Sequence, residues 1–200
     1  MAELGSDYAI ANGNLPIQNL SSLSPLYATG GGVVQTIYTH YTTTATQAMT
    51  ANANNRVNNA GLGGISITTK PASPATGASN VVLIYARWSG EINNLWNVMW
   101  GLERDGTYLT DPFNSPGSRN IGVLPGGDSY ATTAENNGST PAMVDFWWLD
   151  VPPANATSTY YITCRPAAAS TLYINRTVTD SNADGFERMT SGMMVWEIAR

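Results

Sequence analysis

From residue 33 onward, apolar and β-branched positions fall in short runs separated by clusters of Gly, Pro, Asn, Asp and Ser. That spacing is expected of a sandwich or barrel and not of helices. The runs predict strands over 33–44, 63–70, 80–89, 95–104, 107–110, 142–150, 158–165, 171–178 and 192–199. Val, Ile, Thr and aromatic residues dominate them, as a pleated surface prefers. Within 95–104, Trp96, Val98, Trp100 and Leu102 alternate with Leu95, Asn97, Met99, Gly101 and Glu103. The large aromatics therefore share one face and belong in a core or an interface. Runs 80–89 and 143–149 are almost continuously apolar, which predicts central strands covered on both faces and requires a hydrogen-bond partner or water for Asp145. Between two of the runs, Arg104-Asp105-Gly106-Thr107 predicts a tight hairpin, because Gly accepts the positive φ of such turns.

Three segments break this pattern. Residues 45–62 are dense in Asn and Ala and are expected to form a connection. Residues 111–141, rich in Gly, Pro, Asn and Ser around a patch at Ile121, Val123 and Leu124, exceed an ordinary connection. Residues 1–32 keep neither a helical nor a strand period, yet carry Leu4, Tyr8, Ile10, Leu15, Ile17, Leu20, Leu23, Leu26 and Tyr27 before Gly30-Gly31-Gly32. Such a segment is too apolar for a solvated linker. The predicted organisation is an extended N-terminal arm over 1–32, lying on its own domain or on a partner, and one all-β sandwich domain over 33–200.

Composition narrows the classes of function. Charged residues are 12% of the 200, about half the globular norm of roughly 25%, so the polar surface must be Thr, Ser, Asn and Gly. A net charge of -5 and a pI near 4.6 leave no basic patch, so neither nucleic acid nor an anionic membrane is an expected partner. Cys164 is the sole cysteine, which excludes an intrachain disulfide and a cysteine-based zinc site. The first residues lack the basic and apolar regions of a signal peptide, and no apolar run reaches the roughly 18 residues of a membrane span. The expectation is a soluble, non-exported chain.

Candidate chemistry is sparse, and no catalytic residue or cofactor is assigned. His40 is the only histidine, and no serine sits in a nucleophile elbow that it could serve. Asp145 and Asp150 are the carboxylate pair worth testing for glycosidase work, but their spacing on a strand sends them to opposite faces. Asp150 is expected to cap the strand end. Asp180, Asn182 and Asp184 with Gly185 match the first half of a calcium loop. Position twelve of that pattern is Ser191, so the bidentate carboxylate is missing and a turn is the simpler reading. The six tryptophans, Trp88, Trp96, Trp100, Trp147, Trp148 and Trp196, fit core packing, subunit packing or sugar stacking. Asn137, Asn155 and Asn175 begin glycosylation tripeptides.

The segments Thr157-Ser-Thr-Tyr-Tyr161, Thr171-Leu-Tyr-Ile-Asn-Arg-Thr177, Arg188-Met-Thr-Ser191 and Met194-Val-Trp-Glu-Ile198 resemble a β-sandwich domain of tailed-phage virion proteins. Its members similarly begin with a Val-Val-Gln-Thr strand, here Val33 to Thr36. The resemblance spans roughly 33–200 and rests on structural signatures, not catalytic ones. It implies an antiparallel jelly-roll-like (TNF-like) sandwich that assembles as a homotrimer, as in capsid decoration (cement) proteins and tail-fibre heads. Tyr85, Trp96, Trp100 and Trp147 are the expected trimer-interface candidates, with core placement as the open alternative. Fibre heads follow long shafts of heptads, collagen-like triplets or β-helical repeats, which 1–32 does not offer. The expectation is therefore a decoration protein on the outer surface of a virion capsid, with the major capsid protein as partner. Leu4, Tyr8, Ile10, Leu15, Ile17, Leu20 and Leu23 are the capsid-contact residues of the arm. The alternative is a tail-fibre or baseplate-attached head that recognises host glycan, and a third class is a glycan-degrading enzyme.

Overall fold

Alternation along Val33–Tyr41 (β1), with Ile37 turned inward and Thr36, Tyr38 and His40 outward, opens a fold built entirely of strands. The computed structural model describes residues 32–58, 62–71, 79–94, 97–109, 122–126, 139 and 141–200. No helix occurs among them. The remaining strands are Ala45–Met49 (β2), Asn55–Arg56 (β3), Ile65–Thr68 (β4), Val81–Ile92 (β5), Met99–Arg104 (β6), Thr107–Leu109 (β7), Leu124–Pro125 (β8), Ala142–Asp150 (β9), Thr157–Arg165 (β10), Ser170–Ile174 (β11) and Ser191–Ile198 (β12).

Among the described residues all the strand pairings are antiparallel and make two six-stranded sheets. In sheet I, β5 is the spine. One of its edges pairs β9 from Val82 to Gly90; the other pairs β12 up to Arg87 and then β11 from Gly90. β1 lies beyond β12, and β2 beyond β11. In sheet II, β10 pairs β6 on one edge and β4 and β3 on the other, while β6 carries β7 and β8 on its far edge.

The inner faces meet in one apolar core. Val82, Ile84, Ala86 and Trp88 of β5 face Trp100 and Leu102 of β6 and Tyr160 and Ile162 of β10 within it. Trp88 and Trp100, one from each sheet, lie 4.6 Å apart between ring centroids, a tilted aromatic contact across the middle of the sandwich.

Three buried polar nodes brace the fold. Asp150 at the end of β9 accepts from Arg104 Nη1 at 2.5 Å and from the Tyr160 hydroxyl at 2.8 Å, joining sheet I to sheet II. Glu197 accepts from Gln35 Nε2 at 2.5 Å, from Asn80 Nδ2 at 2.7 Å and from the Lys70 amide at 2.7 Å. Burial pushes that carboxyl up, but these hydrogen bonds and the Lys70 charge outweigh it and hold the group below its ordinary value of 4.5. Asn175, at φ 58° and wholly buried, donates to the carbonyls of Tyr41 and Thr43 at 2.8 and 2.9 Å and accepts from Ser191 Oγ at 2.7 Å.

Several expectations need correction. The strand anticipated over 95–104 begins at Met99, because Asn97 takes a left-handed φ of 53° that no strand continues through. The segment 45–62 contributes strands β2 and β3 instead of a plain connection. β9 is not a central strand: among the described residues it pairs only with β5, and Asp145 is exposed. Asp150 is no simple strand cap, since its carboxylate is spent on the inter-sheet ion pair. The Asp105-Gly106 hairpin forms between β6 and β7 with φ of 48° and 91° at its centre, the geometry that residue pair selects. Of 111–141, Leu124 pairs with Trp100 and, with Val123, packs against the core.

Candidate interaction face

The outer faces of the two sheets differ in kind. On sheet II, Ser66 and Thr159 share a hydroxyl hydrogen bond at 2.8 Å, as do Thr68 and Thr157. Beside them Arg56 pairs with Glu103 and its guanidinium lies 4.5 Å over the Tyr161 ring. Polar groups that satisfy one another in this way sit comfortably in water.

Sheet I presents the opposite surface. Strand register puts Tyr38, Met194, Tyr85 and Trp147 side by side across β1, β12, β5 and β9. The next row is Thr36, Trp196, Leu83 and Leu149, and on the other side of the first comes His40, Gly192, Arg87 and Asp145. Tyr85 and Trp147 rings lie 4.7 Å apart, and Trp147 stacks on Trp196 at 5.4 Å. Tyr38 is 70% exposed, Trp147 54% and Leu149 58%, so this aromatic ladder is bare on its outward side. A contiguous apolar patch of this sort marks an interaction surface.

A shallow depression lies beside the ladder, lined by Tyr38, His40, Tyr85, Arg87, Gly192 and Met194 among others. Gly192, between His40 and Arg87 in the register, contributes no side chain. Arg87 Nε donates to Ser89 Oγ at 3.4 Å. Asp145 faces Tyr85, whose phenol is pushed up from its ordinary value of 10.0 by burial and then by that anion. Arg87 and Asp145 are the exposed charged side chains on the outward positions of these four strands; Glu91, also outward on β5, is buried.

Of the sequence-derived interface candidates, Tyr85 and Trp147 are together on this face. Trp100 is in the core, 1% exposed, which resolves for that residue the alternative left open by periodicity. Trp96 lies outside the described residues, as do Leu4, Tyr8, Ile10, Leu15, Ile17, Leu20 and Leu23. Tyr38 and Met194 belong to the face without having been singled out, and Trp196, one of the six tryptophans open to core, subunit or sugar packing, joins them there. The signal was present in outward positions of β1 and β12, but a period of two says only that two faces exist, not which is covered.

Asp145 and Asp150 do point to opposite faces of β9. His40 stands exposed on β1. In the acidic loop, Asp180 forms ion pairs with Arg188 at 2.7 Å and Arg176 at 3.5 Å, while Asn182 and Asp184 project into solvent. Those arginines already neutralise the one carboxylate that the loop holds in place, and no cluster of three metal-ligating side chains occurs among the described residues. Asn175 has its amide committed on both sides, so the folded chain offers no glycosylation acceptor there. Cys164 is buried, and burial pushes its thiol up to about 12. No protein-family model and no curated protein matches this chain, so the site is read from its own chemistry.

Proposed function

We propose that this chain is a structural protein of a tailed-phage virion: a homotrimeric, jelly-roll-like decoration protein that binds the major capsid protein through its N-terminal arm and stabilises the head. Its work is adhesion without turnover. The observation that carries this reading is the bare aromatic face of sheet I set against the self-satisfied polar face of sheet II. An all-β body with one apolar outer face gains by covering that face with copies of itself, at about 25 cal/mol per Å² of apolar area removed from water.

The arm supplies the second contact. Leu4, Tyr8, Ile10, Leu15, Ile17, Leu20 and Leu23 lose water on binding a shell, and the entropy of ordering offsets much of the gain. Three arms on one body hold one another at high effective concentration, so weak single contacts give a lasting attachment.

The test is direct. The full chain should have a trimer's mass in solution, and deletion of residues 2–29 should abolish binding to assembled capsids while leaving a folded trimer. A truncated chain that still decorates shells at full occupancy overturns the role of the arm. The glycan-reading head is the second reading, favoured by exposed Tyr38 and Trp147 beside Arg87 and Asp145. It predicts glycan binding by the assembled protein that is lost on substitution of those aromatics.

A further inference from the structure

We infer that the part of the arm nearest the body folds back over the Val33 end of sheet I in its own chain, where Leu26 and Tyr27 cover Leu149 and the apolar positions beside it. The inference goes beyond the reading above. It leaves the distal arm for the shell, and the row of Tyr38, Met194, Tyr85 and Trp147 for other copies.

The point at which the arm joins the sheet carries the argument. The Gly32 carbonyl accepts from the Ala199 amide at 2.9 Å, and Val33 pairs with Ile198, which pairs in turn with Val81. The arm therefore enters at one end of the outer face. Exposed apolar side chains gather at that same end. Val33 on β1 is 59% exposed, Leu149 on β9 58%, and Val151, which follows the Asp150 partner of Val82, 51%. Trp196 and Leu83 lie between β1 and Leu149 in the register, so the apolar surface runs unbroken from the entry point to β9.

Reach and composition choose the occupant. From β1 to β9 is three strand spacings, about 14 Å. Tyr27 precedes Gly32 by five residues, which span up to about 16–18 Å when extended. Ala28-Thr29-Gly30-Gly31 carry no large side chain, so Tyr27 and Leu26 are the first bulky apolar groups of the arm that can stand over Leu149. Residues 8–32 contain no Asp, Glu, Lys or Arg, and laying this stretch on an apolar surface buries no charge. A tethered segment also meets the face at the millimolar effective concentration of a short linker, ahead of a second copy in dilute solution.

Disulfide trapping in the full chain tests this. Tyr27→Cys is combined with Leu149→Cys and, as a control of comparable reach, with Thr68→Cys. Thr68 is exposed on sheet II, and its carbonyl accepts from Gln35 Nε2 of β1 at 2.7 Å. The native Cys164 is buried and does not compete. With oxidised glutathione as the oxidant, the 27–149 link should form at least about ten-fold faster than the 27–68 link, and within one chain on a denaturing, non-reducing gel. Leu26→Asp added to the first pair should slow that link by a similar factor, which a merely nearby tether does not predict. Equal rates for the two pairs, or a rate that Leu26→Asp leaves unchanged, overturn the inference. A 27–149 link between chains overturns it as well, in favour of exchanged arms. The readout is separate from assembly: a monomeric chain that forms the link keeps the inference and loses only the self-association.

Discussion

Replacing Asp150 by Ala tests how strongly the two sheets depend on one carboxylate. In the native chain its Oδ2 receives both Arg104 Nη1 and the Tyr160 hydroxyl. Arg104 and Tyr160 are register partners on sheet II, so a single oxygen of sheet I spans the gap. Removing it leaves the fully buried Tyr160 hydroxyl without its acceptor, a cost of about 1–3 kcal/mol. It also leaves Arg104 unpaired. Loss of one partner from a fully buried pair costs roughly 3–5 kcal/mol, but the Arg104 side chain is 21% exposed, so water recovers part of that. The expected total is about 3–4 kcal/mol for Asp150→Ala. Tyr160→Phe removes one neutral donor and should cost about 1 kcal/mol. The combined change Asp150→Leu with Arg104→Met leaves no charge unpaired and should be less damaging than Asp150→Ala alone. Urea unfolding followed by tryptophan fluorescence, at one fixed protein concentration so that assembly does not shift the midpoint, measures all three against wild type. If Asp150→Ala lies within about 1 kcal/mol of wild type, or the double change is the worse of the two, the node does not couple the sheets.

Glu197 should make the fold acid-sensitive. Its carboxyl is held below the ordinary 4.5, so its contribution is fully present above that value and is lost as the pH falls through the depressed one. Glu197→Gln should flatten the stability profile from the ordinary carboxyl value of 4.5 downward, at the cost of lower stability at neutral pH; an unchanged slope in thermal melts would refute it. Asn175→Ala puts a Cβ-bearing residue without local hydrogen bonds at φ 58° and leaves the carbonyls of Tyr41 and Thr43 without their donor. A loss of at least about 3 kcal/mol in chemical denaturation is expected, and a near-neutral variant would contradict the assigned node. Cys164, with its thiol pushed up to about 12, should resist a disulfide-exchange reagent at about pH 8 until the chain is unfolded; prompt labelling of the native protein would show that the strand opens.

Much of the fold was legible along the chain because strands and tight turns are local chemistry. A β-branched and aromatic run marked β1, alternation marked β6, continuous apolar runs marked β5 and β9, and Asp105-Gly106 marked a hairpin. The short strands β2 and β3 carried no such mark. They are extended because β11 and β10, more than a hundred residues away, present edges that need partners, and no local pattern contains that information.

The same boundary runs through the candidate face. Taken alone, the sequence established an all-strand body, scant charge, a surplus of aromatic residues and an apolar leading segment. Tertiary structure alone decided that Trp100 is sealed against Trp88 while Trp147 stands in solvent, and that β9 has an open outer side where continuous hydrophobicity implied a covered one. The reason is physical: a side-chain period of two sorts residues onto opposite faces of a strand, whereas the strands and sheets that come to lie over each face are supplied by contacts distant in the chain.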